Sequence, residues 1–553
     1  MIKKTFLFVG LLWLSLVQLE AQDQNNFKIA KSIETYSSVL RQLNLNYADS
    51  IDPEQLTTTA IRSMLSKMDP YTVFIPPSEL SAFKLMTRGE YGGMGALIQK
   101  QGHYVVITEP YQNFPAQKAG LRAGDKILSI NGKSAKDLSS AKVSSLLKGI
   151  PGSSLNLTIQ HYGDTNQVKI TITRQKIKIP NVPYYGVLKN NVGYIGLTQF
   201  NPNAANDVRN AFIDLKKNHH IKGLILDLRN NGGGLLSEAV DIVNIFVKKG
   251  QTVVTTKGKN PANNSVRKTK APVLDAHIPL VVLVNQNTAS ASEIVAGSLQ
   301  DLDRAVIIGQ RTFGKGLVQN IVRLPYGAKM KVTIAKYYIP SGRCIQAIDY
   351  FHKDKQGDAN RVADSLISTF KTKHGRLVHD GGGLEPDIKM KTKVFSQLSA
   401  DLYAQNYIFN FANRFYLHHP SIDSPRNFRI DDSTFNQFKS FVSKKGFSYK
   451  TETEELIQRL KKSAERENYY TAIQPAIDSL EKHLALEKKR DLNKHKNEID
   501  ELLRMEIVTR YYYQAGKAEA SLVNDDETEK AIEVLQDKSA YKKILTPHNK
   551  RKL

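Results

Sequence analysis

The chain has one cysteine, Cys344, among 553 residues. One thiol cannot close an intramolecular disulfide or build a structural zinc site on cysteines, so neither staple is expected here. A lone cysteine is more often a small buried hydrophobe than a nucleophile, and Cys344 is read that way. Two catalytic signatures are also missing. No G-x-S-x-G elbow occurs, which leaves an α/β-hydrolase triad without an anchor. No H-E-x-x-H occurs, and His219-His220 is an isolated pair in an expected loop. Neither a metal nor another cofactor is called for.

Long apolar runs are scarce. The 12 residues Phe6–Val17 would span about 18 Å as a helix, short of the roughly 30 Å of a bilayer core. Lys3 and Lys4 precede this run, and polarity returns at Gln18 and Glu20. That is the layout of a secretory signal peptide over residues 1–21, with cleavage after Ala21. No cysteine ends the run, so a lipid anchor is not expected. The expected location is the periplasm where an outer membrane exists, with a soluble mature chain.

The net charge is +25, yet basic and acidic residues are interleaved along the chain. This describes a basic surface that favours anionic envelope components through peripheral association, and no nucleic-acid partner is expected. Apolar residues make up 41% and charged residues 24%, which fits several globular units of about 100–200 residues each.

Residues 22–90 read as a helical N-terminal domain. Ile29, Ile33, Tyr36 and Leu40 recur at helical spacing, as do Leu56, Ala60, Met64 and Met68, and Asp69-Pro70 and Pro76-Pro77 punctuate the end. From Tyr91 the period shortens to that of strands. A glycine-rich turn, Gly93-Met94-Gly95-Ala96, runs into a strand, and Tyr104–Thr108 is a second. The stretch Ala119–Gly132 closes on Asn131-Gly132, a hairpin-type pair. A helix (Ser139–Leu147) and two alternating strands (Ser154–His161, Gln167–Arg174) complete residues 91–175. This block resembles a PDZ domain. It would add a peptide as a strand to its sheet edge, with the amides of Gly93, Met94, Gly95 and Ala96 receiving the terminal carboxylate.

Residues 176–390 alternate strands and helices, and Leu280–Val284 is a continuous apolar run suited to a strand buried on both faces. An α/β core with a central sheet follows. Residues 391–553 are rich in Leu, Lys, Glu and Tyr at helical spacing, a helical extension that braces the core or contacts partners. Tyr511-Tyr512-Tyr513 in it reads as packing. The fold class is multidomain α+β.

The chemistry concentrates in two segments. In Asn285–Ala296 a buried strand ends and a helix begins near Ser290, which sets a hydroxyl beside free amides at a helix N-terminus. Serine is also an ordinary N-cap, and Ser292 and Ser298 compete for the role on the same helix, Ser292 with Glu293 beside it also reading as polar decoration of the first turn. In Gly309–Gly316 the pattern G-x-x-x-x-G-K nearly makes a phosphate loop, but Gly316 stands where Ser or Thr is required. A lysine between glycines, shielded from water, can instead lose its proton and act as a base.

Together "TASASEIVAGSLQD" and "GQRTFGKGLVQ" resemble the active-site region of the carboxyl-terminal processing peptidases, with 25 residues between Ser290 and Lys315. The resemblance implies Ser290 as nucleophile, Lys315 as general base and Gln319, at helical spacing from Lys315, as the residue that orients it. It also implies an oxyanion hole from Ala291 and from Gly233 or Gly234 in "LDLRNNGGGL". Asp301 and Arg304 match family positions and are equally suited to a structural ion pair. The implied partners are proteins with exposed C-terminal tails. A catalytically silent PDZ scaffold is the competing reading. Flexible joints near Tyr91 and Arg174 would allow the PDZ block to cover the site.

Overall fold

The computed structural model describes residues 25–546, apart from 81, 82, 84–88 and 355. The expected signal peptide lies outside the described residues.

Two helices, 25–46 and Pro53–Ser66, open the described chain, the second capped by Asp52, which accepts the amides of Glu54 and Gln55. The helical reading of 22–90 stops short of its end. Val73–Ile75 is a strand that pairs antiparallel with Lys329–Lys331. The apolar stripe is also less buried than its period suggests, since Ile29, Ile33 and Met64 are exposed.

The remainder is built around a six-stranded sheet. Its order is Tyr184–Leu188, Val192–Gly196, Gly223–Asp227, Leu280–Val284, Val306–Gly309 and Ile388–Lys389. The first pair is antiparallel and the rest are parallel. Strand residues alternate between the two faces. Leu224, Leu226, Leu280, Val282 and Val284 pack on the helices Ala204–His219, Leu236–Phe246 and Ala291–Asp301. Ile225, Val281, Leu283, Val306 and Ile308 face the other way, onto Ala531, Ile532, Val534 and Leu535. These last four belong to the helix Asp526–Gln536, so the C-terminal extension supplies the second covering layer of the central sheet. The apolar run Leu280–Val284 is buried on both faces for this reason.

In the PDZ block, five strands run in the order Ala96–Gln101, Tyr104–Pro110, Lys126–Ile130, Ser154–Gln160, Gln167–Thr173. The helix Ser140–Leu147 is capped by Ser139. The joints near Tyr91 and Arg174 are not loose. Glu90–Gly93 pairs with Gln175–Lys178 as a two-stranded ribbon, and Arg174 is buried, its guanidinium donating to the carbonyls of Leu146, Leu147 and Ser154. Further on, helices Tyr407–His418, Asp432–Lys444 and Lys496–Ser521 enclose an aromatic core of Phe411, Phe415, Phe435 and Phe438. Tyr511 and Tyr512 anchor this unit through hydroxyls donated to the carbonyls of His419 and Ile422, as packing residues do. It also meets the PDZ block, where the Tyr162 hydroxyl donates to the Asn410 carbonyl at 3.0 Å.

Candidate active site

The central strand Leu280–Val284 delivers its carboxyl end to a tight turn, and the turn ends at Ser290, N-cap of the helix Ala291–Asp301. Ser290 has φ +58° and ψ −115°, outside the regions an L residue ordinarily occupies. Such a conformation costs about 1–3 kcal/mol and persists only where neighbours over-determine it. Here they do. The Ser290 N–H donates to Glu293 Oε2 at 2.8 Å, and its carbonyl accepts from the Ile294 amide at 2.9 Å and the Tyr337 hydroxyl at 3.2 Å. The preceding amide, Ala289, donates to the Asn231 carbonyl at 3.0 Å.

Glu293 is not decoration. It is wholly buried, and Oε1 accepts from Thr312 Oγ1 at 2.5 Å and the Gly314 amide at 2.8 Å. Oε2 accepts from the Lys315 amide at 2.9 Å in addition to Ser290. Burial pushes this carboxyl up, and the four hydrogen bonds oppose the rise. One carboxylate oxygen thus receives the backbone amides of both Ser290 and Lys315, residues 25 apart in the chain. Lys315 is half-buried between Gly314 and Gly316.

The glycine loop approaches from the neighbouring strand, Gly223–Asp227. Gly233 has φ +94°, and a Cβ there would lie 2.7 Å from the Ala289 oxygen, 2.8 Å from the Ala291 nitrogen and 2.9 Å from Ser290 Cβ. Only glycine lets this loop back against the Ser290 turn. The Gly233 amide donates to Asn231 Oδ1 at 2.9 Å, whereas those of Gly234 and Ala291 take no partner among the described residues.

Other candidates separate clearly. Ser292 and Ser298 are fully buried and donate to the carbonyls of Asn231 and Val253, each at 2.9 Å, so neither hydroxyl is presented to a substrate. Gln319 is half-buried on the strand Leu317–Arg323, so its spacing from Lys315 is that of a strand and not of a helix. A strand after Lys315, where a phosphate loop requires a helix, also removes the nucleotide reading. Asp301 and Arg304 do not pair with each other. Asp301 holds Arg343 at 2.8 Å, and Arg304 donates to the Phe246 carbonyl. Cys344 is half-buried with its thiol pushed up by burial. Among the described residues no cluster of His, Cys, Asp and Glu suits a metal ion, and no helix is long and apolar enough to cross a membrane.

In the PDZ block, Met94 is buried and its carbonyl accepts from the Ala116 amide at 2.7 Å, while the Gly95 carbonyl accepts from Tyr111 at 2.9 Å. Gly95 has φ +76°, and a Cβ would sit 2.6 Å from Phe114 Cβ. The following strand, Ala96–Gln101, is the edge of its sheet, so a backbone rim stands open beside this turn.

Residues 191–351 match the model of Peptidase family S41, residues 92–172 that of the PDZ domain, and residues 398–535 that of the C-terminal helical domain of a probable PDZ-protease. A carboxy-terminal-processing protease of Bartonella bacilliformis is 34% identical over 357 residues, covering 63% of this chain and 81% of its own length. The chain belongs to the carboxy-terminal-processing protease family. A chloroplastic C-terminal processing peptidase of Tetradesmus obliquus is 37% identical over 54% of this chain and 68% of its own. The solved photosystem II D1 C-terminal processing protease is 32% identical, covers 65% of this chain and 87% of its own, and has a TM-score of 0.36.

The chain is a serine peptidase that carries a PDZ domain. Sequence reasoning took Glu293 beside Ser292 for first-turn decoration and overlooked Asn231 and Tyr337 within this site. Glu293 carried a readable signal, since Ser at the cap with Glu three residues on is a capping pattern. Asn231 and Tyr337 carried none, because what they hold in the site lies far along the chain, 61 residues from Asn231 to Ser292 and 47 from Tyr337 to Ser290.

Proposed function

We propose that this protein is an exported endopeptidase that captures the C-terminal tail of a protein on its PDZ domain and cleaves it with Ser290 and Lys315. The tail would pair with the open edge of Ala96–Gln101, its carboxylate received by the amides of Gly93, Met94, Gly95 and Ala96. The extended chain then reaches Ser290. Neutral Lys315 takes the Ser290 hydroxyl proton as Oγ attacks the scissile carbonyl, with Gln319 orienting the amine. The amides of Ala291 and Gly234 receive the oxyanion, the latter because the Gly233 N–H is engaged by Asn231. On collapse the lysine proton passes to the leaving amine and an acyl-enzyme remains. Water, deprotonated by Lys315, hydrolyses the ester and frees the new carboxyl end.

The observation that carries this reading is the carboxylate of Glu293, whose Oε2 gathers the amides of Ser290 and Lys315. The strained φ at Ser290 adds to it, because a merely structural N-cap has no need of that cost. Export rests on the pattern Lys3-Lys4, Phe6–Val17 and Ala21. Hydrolysis of an unfolded protein by purified enzyme tests the dyad. Ser290→Ala and Lys315→Ala should each lower turnover by at least about 10⁴-fold, the scale on which nucleophile and base act as one unit. Turnover near wild type in either variant would sink the dyad.

A further inference from the structure

The sheet face opposite Ser290's helix is closed by the helix Asp526–Gln536, and the start of that helix does more than fill space. Its N-cap, Asp525, and its second residue, Glu527, grip the guanidinium of Arg229. Arg229 Nη2 and Nη1 donate to Asp525 at 2.6 and 3.0 Å, and Nη1 to Glu527 Oε2 at 2.6 Å. Nε and Nη2 also donate to Asp227, which in turn accepts the Tyr194 hydroxyl at 2.9 Å. All four side chains are at most 17% exposed. Gln310 donates its carboxamide to the remaining oxygen of Glu527.

Both gripped residues lead directly into the site. Two residues beyond Arg229, the Asn231 carbonyl accepts from Ala289 and Ser292, and its side chain accepts from Gly233. Gln310 is anchored to the Val284 carbonyl by its own amide at 3.1 Å and opens the loop that runs to Lys315. One carboxylate pair, nearly 300 residues downstream of Arg229, therefore touches the root of the glycine loop and the root of the lysine loop.

Helix docking alone does not require this arrangement. Ala531, Ile532, Val534 and Leu535 already bury the helix on the sheet. Three carboxylates around one largely buried guanidinium leave surplus negative charge, an unfavourable way to hold a helix that apolar contacts hold already. Capping accounts for Asp525, which accepts from the Glu527 amide and the Thr528 hydroxyl, but not for Glu527.

We infer that Asp525 and Glu527 are positioning residues for catalysis, holding Arg229 and Gln310 so that the glycine and lysine loops keep their place beside Ser290. This rests on the reading of Ser290 and Lys315 as the reacting pair. The C-terminal segment is then part of the catalytic apparatus while touching no substrate.

The full-length Asp525→Asn/Glu527→Gln variant tests it, since shape is kept and charge removed. We expect kcat on a peptide substrate to fall roughly 10- to 100-fold, the scale of a catalytic group displaced by about an ångström. KM and the thermal midpoint should hardly change, and the rate of Ser290 labelling by a fluorophosphonate should fall with kcat. Glu529→Gln, which removes the exposed Lys189 pair on the same helix, should leave kcat unchanged. If the double variant melts below the assay temperature, Glu527→Gln alone carries the test with the same split, because the Asp525 cap stays intact. A double variant with kcat within twofold of wild type overturns the inference, as does an equal loss in Glu529→Gln. Ser290→Ala separates the two levels. If it is inactive while the double variant is active, only the positioning role falls, and if it is active, the dyad falls with it.

Discussion

Replacing Glu293 with glutamine exchanges one carboxylate oxygen for an amide nitrogen at a site where every partner donates. Set toward Ser290 and Lys315, the new NH₂ faces two backbone amides that are themselves donors, and both of those hydrogen bonds are lost. Set the other way, it meets Thr312, whose hydroxyl can turn and accept, but it strands the Gly314 amide. The second arrangement is cheaper. One stranded buried donor and the loss of charge assistance on the other bonds together cost about 2–4 kcal/mol. Relaxation would move the turn that holds Ser290 at φ +58° or the loop that carries Lys315. We therefore expect kcat to fall roughly 100-fold while KM changes little, because peptide capture is remote from Glu293. Stopped-time cleavage of a peptide gives both constants, and urea unfolding gives the stability loss. A glutamine variant with wild-type kcat and stability would refute the argument that this carboxylate couples the two loops.

The Glu109 carboxyl sits 7% exposed between the PDZ strand Tyr104–Pro110 and the helix Lys496–Ser521, and its Oε1 has no hydrogen-bond partner among the described residues. Burial pushes it from 4.5 to about 7, against the attraction of Lys517 and Arg510 and with repulsion from Glu506. A raised carboxyl favours the folded state below the unfolded value and loses that advantage as pH rises from about 4.5 through 7, by roughly 3 kcal/mol at most. Glu109→Gln should accordingly raise the thermal midpoint at pH 8 and leave it nearly unchanged at pH 4.5, and a lowered midpoint at pH 8 would show that the fold favours the ionised carboxylate. Export predicts that protein recovered from the periplasm begins at Gln22, which N-terminal sequencing reads directly, and a mature chain still starting at Met1 in the cytoplasm would refute it.

Local pattern made several elements legible before any fold was known. Asn131-Gly132 reads as a tight hairpin because both residues tolerate positive φ, and they adopt +48° and +79°. The helix read over Ser139–Leu147 is there as Ser140–Leu147, with Ser139 as its cap. Where pattern misled, the cause was an ambiguity of period. Lys315 and Gln319 sit at a spacing that a helix and a strand both satisfy, since four residues return to the same side in either. The helical reading of residues 22–90 failed at Val73–Ile75, where β-branched and aromatic residues pair with Lys329–Lys331.

Sequence by itself determined the chemistry available to this protein. The proposed chemistry rests on the identity of Ser290, Lys315 and the glycines at 233 and 234, and identity is written in the chain. Tertiary structure decided how that chemistry is held. It turned Glu293 inward to receive two loops, removed Ser292 and Ser298 by burying their hydroxyls, and laid the helix Asp526–Gln536 over the second face of the sheet, Asp525 and Glu527 on Arg229. Spacing along a chain carries no record of contacts nearly 300 residues apart, since these exist only once the strands have aligned and the apolar faces have closed.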